Sequence, residues 1–319
     1  MQGLRTEKSQ TWLQSKENIG RDDDCLLMTA GEEKILQEKE IKTHGQIFHL
    51  ILTGRDLGAQ YPGMIIFSLT ILSGEKVMSR FRTNTYEYPP LSPISAFEVV
   101  QARSDEWEQE LRSDPARFLL GEERISRREP DDTPNPEVLI FQGSPRPAGN
   151  CSVIAAWAQS AAESSGRSVK VVYLDDLTIR ACIGCYQCYN TGACIFEDDM
   201  TDIIRSISKA RFIVVCTPVF TNTVPGSLKI VIDRCQAYHA MQVLHGKVTG
   251  KKGLLFSVAG RKGEENFSCI TRVVDAFMKN IHIKPEGSIL LDDLDRIGDI
   301  RNIPDAEQKV RDIMEKILM

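Results

Sequence analysis

Apolar and polar positions follow two alternating patterns in the second half of the chain. Short apolar runs at 138–141, 169–174, 212–216, 254–258 and 288–291 read as strands. Between them, apolar residues recur at helical spacing. One such set is Val153, Ile154, Trp157 and Ala161; another is Met200, Ile203, Ile204 and Ile207. A helix over 226–238 follows, then a strongly periodic one with Ile270, Val273, Val274, Phe277, Met278 and Ile281 on one face, and a last one with Val310, Ile313, Met314 and Ile317. Five strands alternating with five helices predict parallel strands joined by crossover helices. This is a doubly wound α/β domain over 137–319. Ligands of such sheets sit beyond the carboxyl ends of the strands where the strand order reverses, so the loops after the first, third and fourth of these strands are the candidates.

The first half carries a weaker pattern. Residues 47–52 and 64–72 read as two buried strands separated by the turn-rich stretch 54–63, and 106–120 has helical composition interrupted at Pro115. A small α+β domain of unknown type is expected over 1–120. The charged segment 121–136, with Pro130, Pro134 and Pro136, reads as a linker. His44 and His49 are isolated, and no chemical motif or internal repeat is visible in this half.

The length of 319 residues leaves room for two cores. A net charge of -5 gives no broad attraction to nucleic acid or to an anionic membrane, and neither is expected as a partner. The first twenty residues lack the apolar core of a signal peptide. The apolar stretch 64–72 is about half of the roughly 20 residues that span a bilayer. A soluble, cytoplasmic chain is expected.

Eight of the nine cysteines follow residue 150, and in such a chain thiols stay reduced unless they serve metal or redox chemistry. Cys25, Cys216, Cys235 and Cys269 read as buried small hydrophobes. Cys182, Cys185, Cys188 and Cys194 instead lie within thirteen residues. Their spacing, C-x2-C-x2-C-x5-C, starts like a ferredoxin run but ends differently, with five residues before Cys194 and Ile195 after it. Zinc sites more often join two C-x2-C pairs separated by a dozen or more residues. The spacing leaves an iron-sulfur cluster, a zinc ion and unmetallated thiols open.

The first strand of the α/β domain runs into Gly143-Ser144-Pro145-Arg146-Pro147-Ala148-Gly149-Asn150-Cys151-Ser152 before a helix begins. A loop so placed can wrap a phosphate with backbone amides, hydroxyls and the positive end of the helix, with Arg146 adding a charge. Neither G-x-G-x-x-G nor the Walker lysine motif is present, which points to a monophosphate.

These motifs, taken with Cys182-Ile183-Gly184-Cys185, Asp198-Asp199, Thr217-Pro218-Val219-Phe220 and Leu228-Lys229 followed by Asp233-Arg234, resemble the NADPH-dependent FMN reductase and iron-sulfur flavoprotein family. The resemblance covers about 137–291 and implies a flavodoxin-like five-stranded parallel sheet. It implies that Ser144, Arg146, Asn150 and the amides of Cys151 and Ser152 hold the FMN phosphate. Cys151 stands where the family usually has threonine or serine. Thr217, Pro218, Val219, Phe220, Thr221 and Asn222 would line the isoalloxazine ring, with Phe220 in place of the usual tyrosine. Ala259 and Gly260 would belong to a third pocket loop, whose Arg261 and Lys262 could attract NADPH phosphate. The four cysteines would hold a 4Fe-4S cluster. Asp233 and Arg234 are expected to form a structural pair, outside the site.

The resulting expectation is an FMN- and 4Fe-4S-dependent oxidoreductase, passing electrons between NAD(P)H or ferredoxin and an acceptor. No side chain need act as acid or base. The resemblance also implies a homo-oligomer. The alternatives are a cluster-free NAD(P)H-dependent flavin, quinone or nitro-compound reductase, and a non-enzymatic electron carrier.

Overall fold

The computed structural model describes residues 31–59, 61–88, 91–116, 118, 136–246 and 250–319. The expected linker, apart from residue 136, and Cys25 lie outside them. The chain divides into two compact units: Met1–Asp131 with Cys185–Thr191, and Asp132–Gly184 with Gly192–Met319.

The first unit holds a four-stranded antiparallel sheet, ordered as in the chain: β1 (Glu33–Thr43), β2 (Gln46–Asp56), β3 (Ile65–Ser73) and β4 (Lys76–Asn84). His44 and Gly45 join β1 to β2 with φ of 48° and 77°, the left-handed pair that a tight hairpin requires. One sheet face carries Ile41, Phe48, Leu50, Leu52, Leu69 and Ile71 against Val100, Trp107 and Leu111 of helix α1 (Ala96–Ser113). Two expectations are corrected. Among the described residues the unit has four strands, not two, and its helix α1 begins ten residues before 106 and stops ahead of Pro115. Ser95 sets that start with a capping box: its Oγ accepts from the Glu98 amide at 3.2 Å, and its own amide donates to Glu98 Oε2 at 2.7 Å.

The second unit is the doubly wound domain. Its strands β5 (Val138–Gln142), β6 (Val169–Tyr173), β7 (Phe212–Pro218), β8 (Lys251–Val258) and β9 (Ile283–Leu291) form one parallel sheet in the order β6-β5-β7-β8-β9. This is the flavodoxin-like order, with the reversal at β5 and β7. Six longer helices flank it: α2 (Asn150–Ser164), α3 (Met200–Lys209), α4 (Gly226–Arg234), α5 (Gln236–His245), α6 (Ser268–Asn280) and α7 (Ala306–Leu318).

Period-2 alternation sends Val138, Ile140, Val214 and Phe256 to one face, under Ile154, Ala158, Val310 and Met314. Leu139, Phe141, Val215 and Leu255 go to the other, under Ile203, Leu228, Val274 and Phe277. Burial on both faces is why these strands read as unbroken apolar runs. The expected helix over 226–238 is two helices that meet at Cys235. β9 begins at Ile283 rather than at 288, because this edge strand is mostly exposed between its ends and gives little apolar signal.

Candidate functional site

Three loops leave the carboxyl ends of β5, β7 and β8, strands that are neighbours in the sheet. The topology therefore brings 143–152, 217–222 and 259–263 to one edge.

The first loop is shaped by Gln142, the polar last residue of an otherwise apolar strand. Its side chain is completely buried: Oε1 accepts from the Ser144 amide at 2.8 Å, and Nε2 donates to Ser152 Oγ at 2.9 Å. A polar terminus on an apolar run was the signal available for it. Gly143 donates its amide to the Cys216 carbonyl at 2.8 Å, and a Cβ there would lie 3.2 Å from Leu228 Cδ2. Ser144 Oγ accepts from the Arg146 amide at 3.2 Å. Helix α2 then starts behind Gly149 with no side-chain cap, so its first amides and its positive end lie at this loop, with Arg146 exposed beside them.

Two residues of this loop are used otherwise than through a side-chain contact to a phosphate. Asn150 donates from Nδ2 to the Gly298 carbonyl at 3.1 Å and accepts at Oδ1 from the Ile300 amide at 3.1 Å. Cys151 lies in the core beneath the sheet, where burial pushes its thiol up to about 12. It is neutral and offers the site its backbone alone.

After β7, Ser257 Oγ donates to the carbonyl of the buried Thr217 at 3.0 Å, and the Val219 amide donates to the Val258 carbonyl at 2.9 Å. Phe220 and Thr223 exchange both backbone bonds, at 2.8 and 2.9 Å, around Thr221 and Asn222 with φ of 46° and 59°. This two-residue turn carries Phe220 41 % exposed, an apolar ring presented at the edge of a polar loop. Pro218 and Val219 are half-buried, and Thr221 and Asn222 are exposed.

After β8, Ala259 is buried and donates its amide to the Leu291 carbonyl at 2.8 Å, while the Gly260 carbonyl accepts from the Asp295 amide at 2.9 Å. The Gly263 amide, at φ 127°, donates to Asp292 Oδ2 at 2.6 Å. An open groove of about 650 Å³ lies beside this loop at the β9 end of the edge, lined by Glu264, Phe267, Thr271, Arg272, Leu290 and Asp292.

The four cysteines are placed differently from one another. Cys182 is exposed, Cys185 and Cys194 are half-buried and Cys188 is buried. Cys185 and Cys188 belong to the first unit, and Cys182 and Cys194 to the second. Four thiols suit a soft metal or an iron-sulfur centre by chemistry. Among the described residues, however, no three His, Cys, Asp or Glu side chains are gathered to hold a metal ion. Of the other cysteines, Cys216 and Cys235 are buried as expected, whereas Cys269, at the start of α6, is exposed and so departs from the buried reading.

Within the second unit, the stem of the cysteine loop is anchored by a buried ion pair. Arg234 donates from Nη1 to Asp198 Oδ2 at 2.8 Å and from Nη2 to Oδ1 at 2.9 Å, with side-chain exposures of 1 % and 8 %. Its guanidinium also donates to the Arg180 carbonyl at 2.5 Å and hydrogen-bonds Cys194. Its buried Nε has no partner among the described residues. The expected Asp233–Arg234 pair is thus corrected, because Asp233 binds Lys229 on its own helix at 2.7 Å.

Burial opposes ionisation of Asp198, but the bonds from Arg234 and from the Arg180 and Met200 amides outweigh it and hold its carboxyl below the usual 3.8. A depressed folded value means that the pair stabilises the fold above the unfolded value, and that this stability is lost as pH falls through the folded value. Denaturant unfolding measured against pH should therefore show stability dropping below about pH 3.8, and Asp198→Asn should flatten that part of the profile.

The model of the NADPH-dependent FMN reductase family matches residues 136–286. The proteins similar to the chain include three iron-sulfur flavoproteins. The one from Methanocaldococcus jannaschii is 32 % identical over 114 residues, 36 % of this chain and 59 % of that protein. One from Archaeoglobus fulgidus is 32 % identical over 135 residues, 42 % and 60 % of the two chains. One from Methanosarcina thermophila is 27 % identical over 174 residues, 54 % and 86 %. The chain spans about three fifths of the length of the first two. Among the described residues no helix is long and apolar enough to cross a membrane.

Proposed function

Since residues 136–286 match the model of the NADPH-dependent FMN reductase family, we propose that this chain is an FMN-dependent oxidoreductase whose flavin lies across the carboxyl ends of β5, β7 and β8. The observation that carries the reading is the uncapped start of α2, behind a loop folded around Gln142, at the point where the strand order reverses. The backbone amides of Asn150 and Cys151 at the start of α2, the Ser144 hydroxyl and the Arg146 guanidinium are the proposed phosphate donors, whereas the Ser152 amide donates to the Gly149 carbonyl at 2.9 Å. Thr217 to Asn222 would line the ring, with Phe220 covering its apolar surface, and Ala259-Gly260 would close its far side. Bound there, FMN would supply hydride and single-electron chemistry. The chain's part is to bind, orient and exclude water, and none of these loops presents a side chain that must carry a proton.

The finer reading is that Cys182, Cys185, Cys188 and Cys194 hold a 4Fe-4S cluster, which would exchange single electrons. It is supported by the names of the similar proteins, by the thiol spacing and by the buried Arg234 beside Cys194. NAD(P)H or ferredoxin is the proposed donor, and a homo-oligomer the proposed assembly. The exposed Arg261 and Lys262 favour a phosphorylated nicotinamide over an uncharged donor.

A second reading is a cluster-free NAD(P)H-dependent flavin, quinone or nitro-compound reductase, which is supported by the match of residues 136–286 to the NADPH-dependent FMN reductase model, since that match needs no cluster. Steady NAD(P)H turnover by protein with a flavin spectrum and no iron would select it.

The phosphate assignment has its own test. Arg146→Ala removes one exposed, charge-assisted contact, so FMN should bind about tenfold more weakly, the low end for such a bond, in a titration of flavin fluorescence. The thermal unfolding of flavin-free protein should not change. Unaltered FMN affinity would show that the phosphate lies elsewhere.

A further inference from the structure

The stretch Cys185–Thr191 belongs to the first unit, although the chain on either side of it belongs to the second. Polar groups at the end of β4 hold it there. Asn84, completely buried, donates from Nδ2 to Asn190 Oδ1 at 2.8 Å, to the Tyr186 carbonyl at 3.2 Å and to Glu87 Oε1 at 3.0 Å. Asn190 in turn donates from Nδ2 to Glu87 Oε1. Arg82 Nη1 donates to the Asn190 carbonyl at 3.0 Å. Tyr61 and Tyr189 meet hydroxyl to hydroxyl at 2.7 Å and edge to face at 5.1 Å, and the Tyr86 and Tyr186 rings stand edge to face at 5.0 Å.

A small sheet-and-helix unit does not need this network for its core, which lies among Phe48, Leu50, Leu69, Val100 and Trp107. The buried amides of Asn84 and Asn190 and the half-buried carboxylate of Glu87 cost desolvation, and once satisfied they fix one geometry rather than many. Here the fixed groups alternate with thiols along the chain. The tethered Tyr186 carbonyl follows Cys185, Tyr186 itself holds a left-handed φ of 57°, and the tethered Asn190 lies two residues beyond Cys188, in the helical turn that Cys188 opens.

We infer that the first unit is a positioning module for Cys185 and Cys188, with Asn84 and Glu87 as its positioning residues. This rests on the reading of those two thiols as cluster ligands. It gives a role to the half of the chain in which the sequence shows no chemical motif, because among the described residues the unit's thiols all lie in this stretch, and the unit sets the backbone that carries both.

The test uses the full chain and the variants Asn84→Ala, Glu87→Ala and Glu87→Gln, the last keeping an oxygen at Oε1. Three readouts are taken: iodoacetamide alkylation of Cys188 in reduced, metal-free protein, followed by peptide mass spectrometry; iron, sulfide and FMN per chain after anaerobic reconstitution; and hydrogen exchange in β2 and β3 as the gauge of a folded first unit. Both alanine variants should speed Cys188 alkylation by about tenfold or more, the size expected when a buried partner is lost and the segment opens locally. They should also lower bound iron while FMN, β2 and β3 protection and the slow alkylation of Cys216 stay as in the parent. Glu87→Gln should restore the parent rate and iron content. A Cys188 rate and an iron content both unchanged in Asn84→Ala would overturn the inference. If the alanine variants lose protection in β2 and β3, Tyr61→Phe decides: faster Cys188 alkylation with the sheet protected supports it, and an unchanged rate overturns it. If the parent protein takes up no iron, the cluster reading fails by itself. The alkylation rates then still decide whether the first unit places these thiols.

Discussion

Arg234→Ala should lower the unfolding free energy of the chain by about 3–5 kcal/mol, the cost of removing one partner from a buried ion pair. The substitution leaves Asp198 buried with no counter-charge and releases the Arg180 carbonyl. Phe196 loses one of the two guanidinium groups over its ring, Arg234 at 5.2 Å, and keeps Arg180 at 4.0 Å. Arg234→Lys should be nearly as damaging, because an ammonium cannot make the two-pronged contact that the Asp198 carboxylate accepts. Replacing both partners by leucine should cost less than the single change, since no charge is then stranded, although the Arg180 and Met200 amides and the Arg180 carbonyl lose a partner. Urea unfolding of the four proteins checks this. A loss below about 1 kcal/mol for Arg234→Ala, the range of a surface pair, would show that the guanidinium is not the anchor of the cysteine-loop stem.

The second large effect is expected at Cys185. Cys185→Ser should remove most of the iron and sulfide that the chain takes up under anaerobic reconstitution while leaving FMN bound. Losing a group that only supports a ligand costs about 10–100-fold in metal affinity, and losing the ligand itself should cost at least that. The phosphate loop at 143–152 shares no residue with the cysteine stretch, so the flavin spectrum serves as the control. Full iron in Cys185→Ser would exclude this thiol as a ligand. Iron lost together with flavin would mean that the variant disturbs the second unit.

The α/β unit was legible because its strands are buried on both faces and read as continuous apolar runs. Val138 to Phe141 are all completely buried, as are Ile213 to Cys216. The first unit was not, for a physical reason. β1, with the sequence EKILQEKEIKT, has a fully buried hydrophobe only at Ile41, and its glutamates and lysines have helix-forming composition. β4 alternates charged and apolar residues at the other edge of the sheet, with the exposed Arg80 among them. Helix α1 did carry a readable start, the Ser95-x-x-Glu98 capping box, which outranks the charged composition of 106–120 as a boundary signal.

In the candidate site, the three loops were found because topology dictates where they must lie. The partner of Arg234 was missed because neighbouring residues on a helix do not face each other, and Asp198 lies 36 residues away. Lys229 and Asp233, four apart on α4, were the available hint that Asp233 already had a partner. The attachment of Tyr186 and Asn190 to Asn84, more than a hundred residues back, leaves no local trace in the sequence at all.

The most direct test of the flavin site is reconstitution under nitrogen with FMN, iron and sulfide, followed by gel filtration and quantification of each per chain. The account predicts about one FMN retained per chain, with about four iron and four sulfide where the cluster forms, and weaker FMN retention in Arg146→Ala. Colourless protein, with all the flavin recovered in the small-molecule fraction, would contradict it.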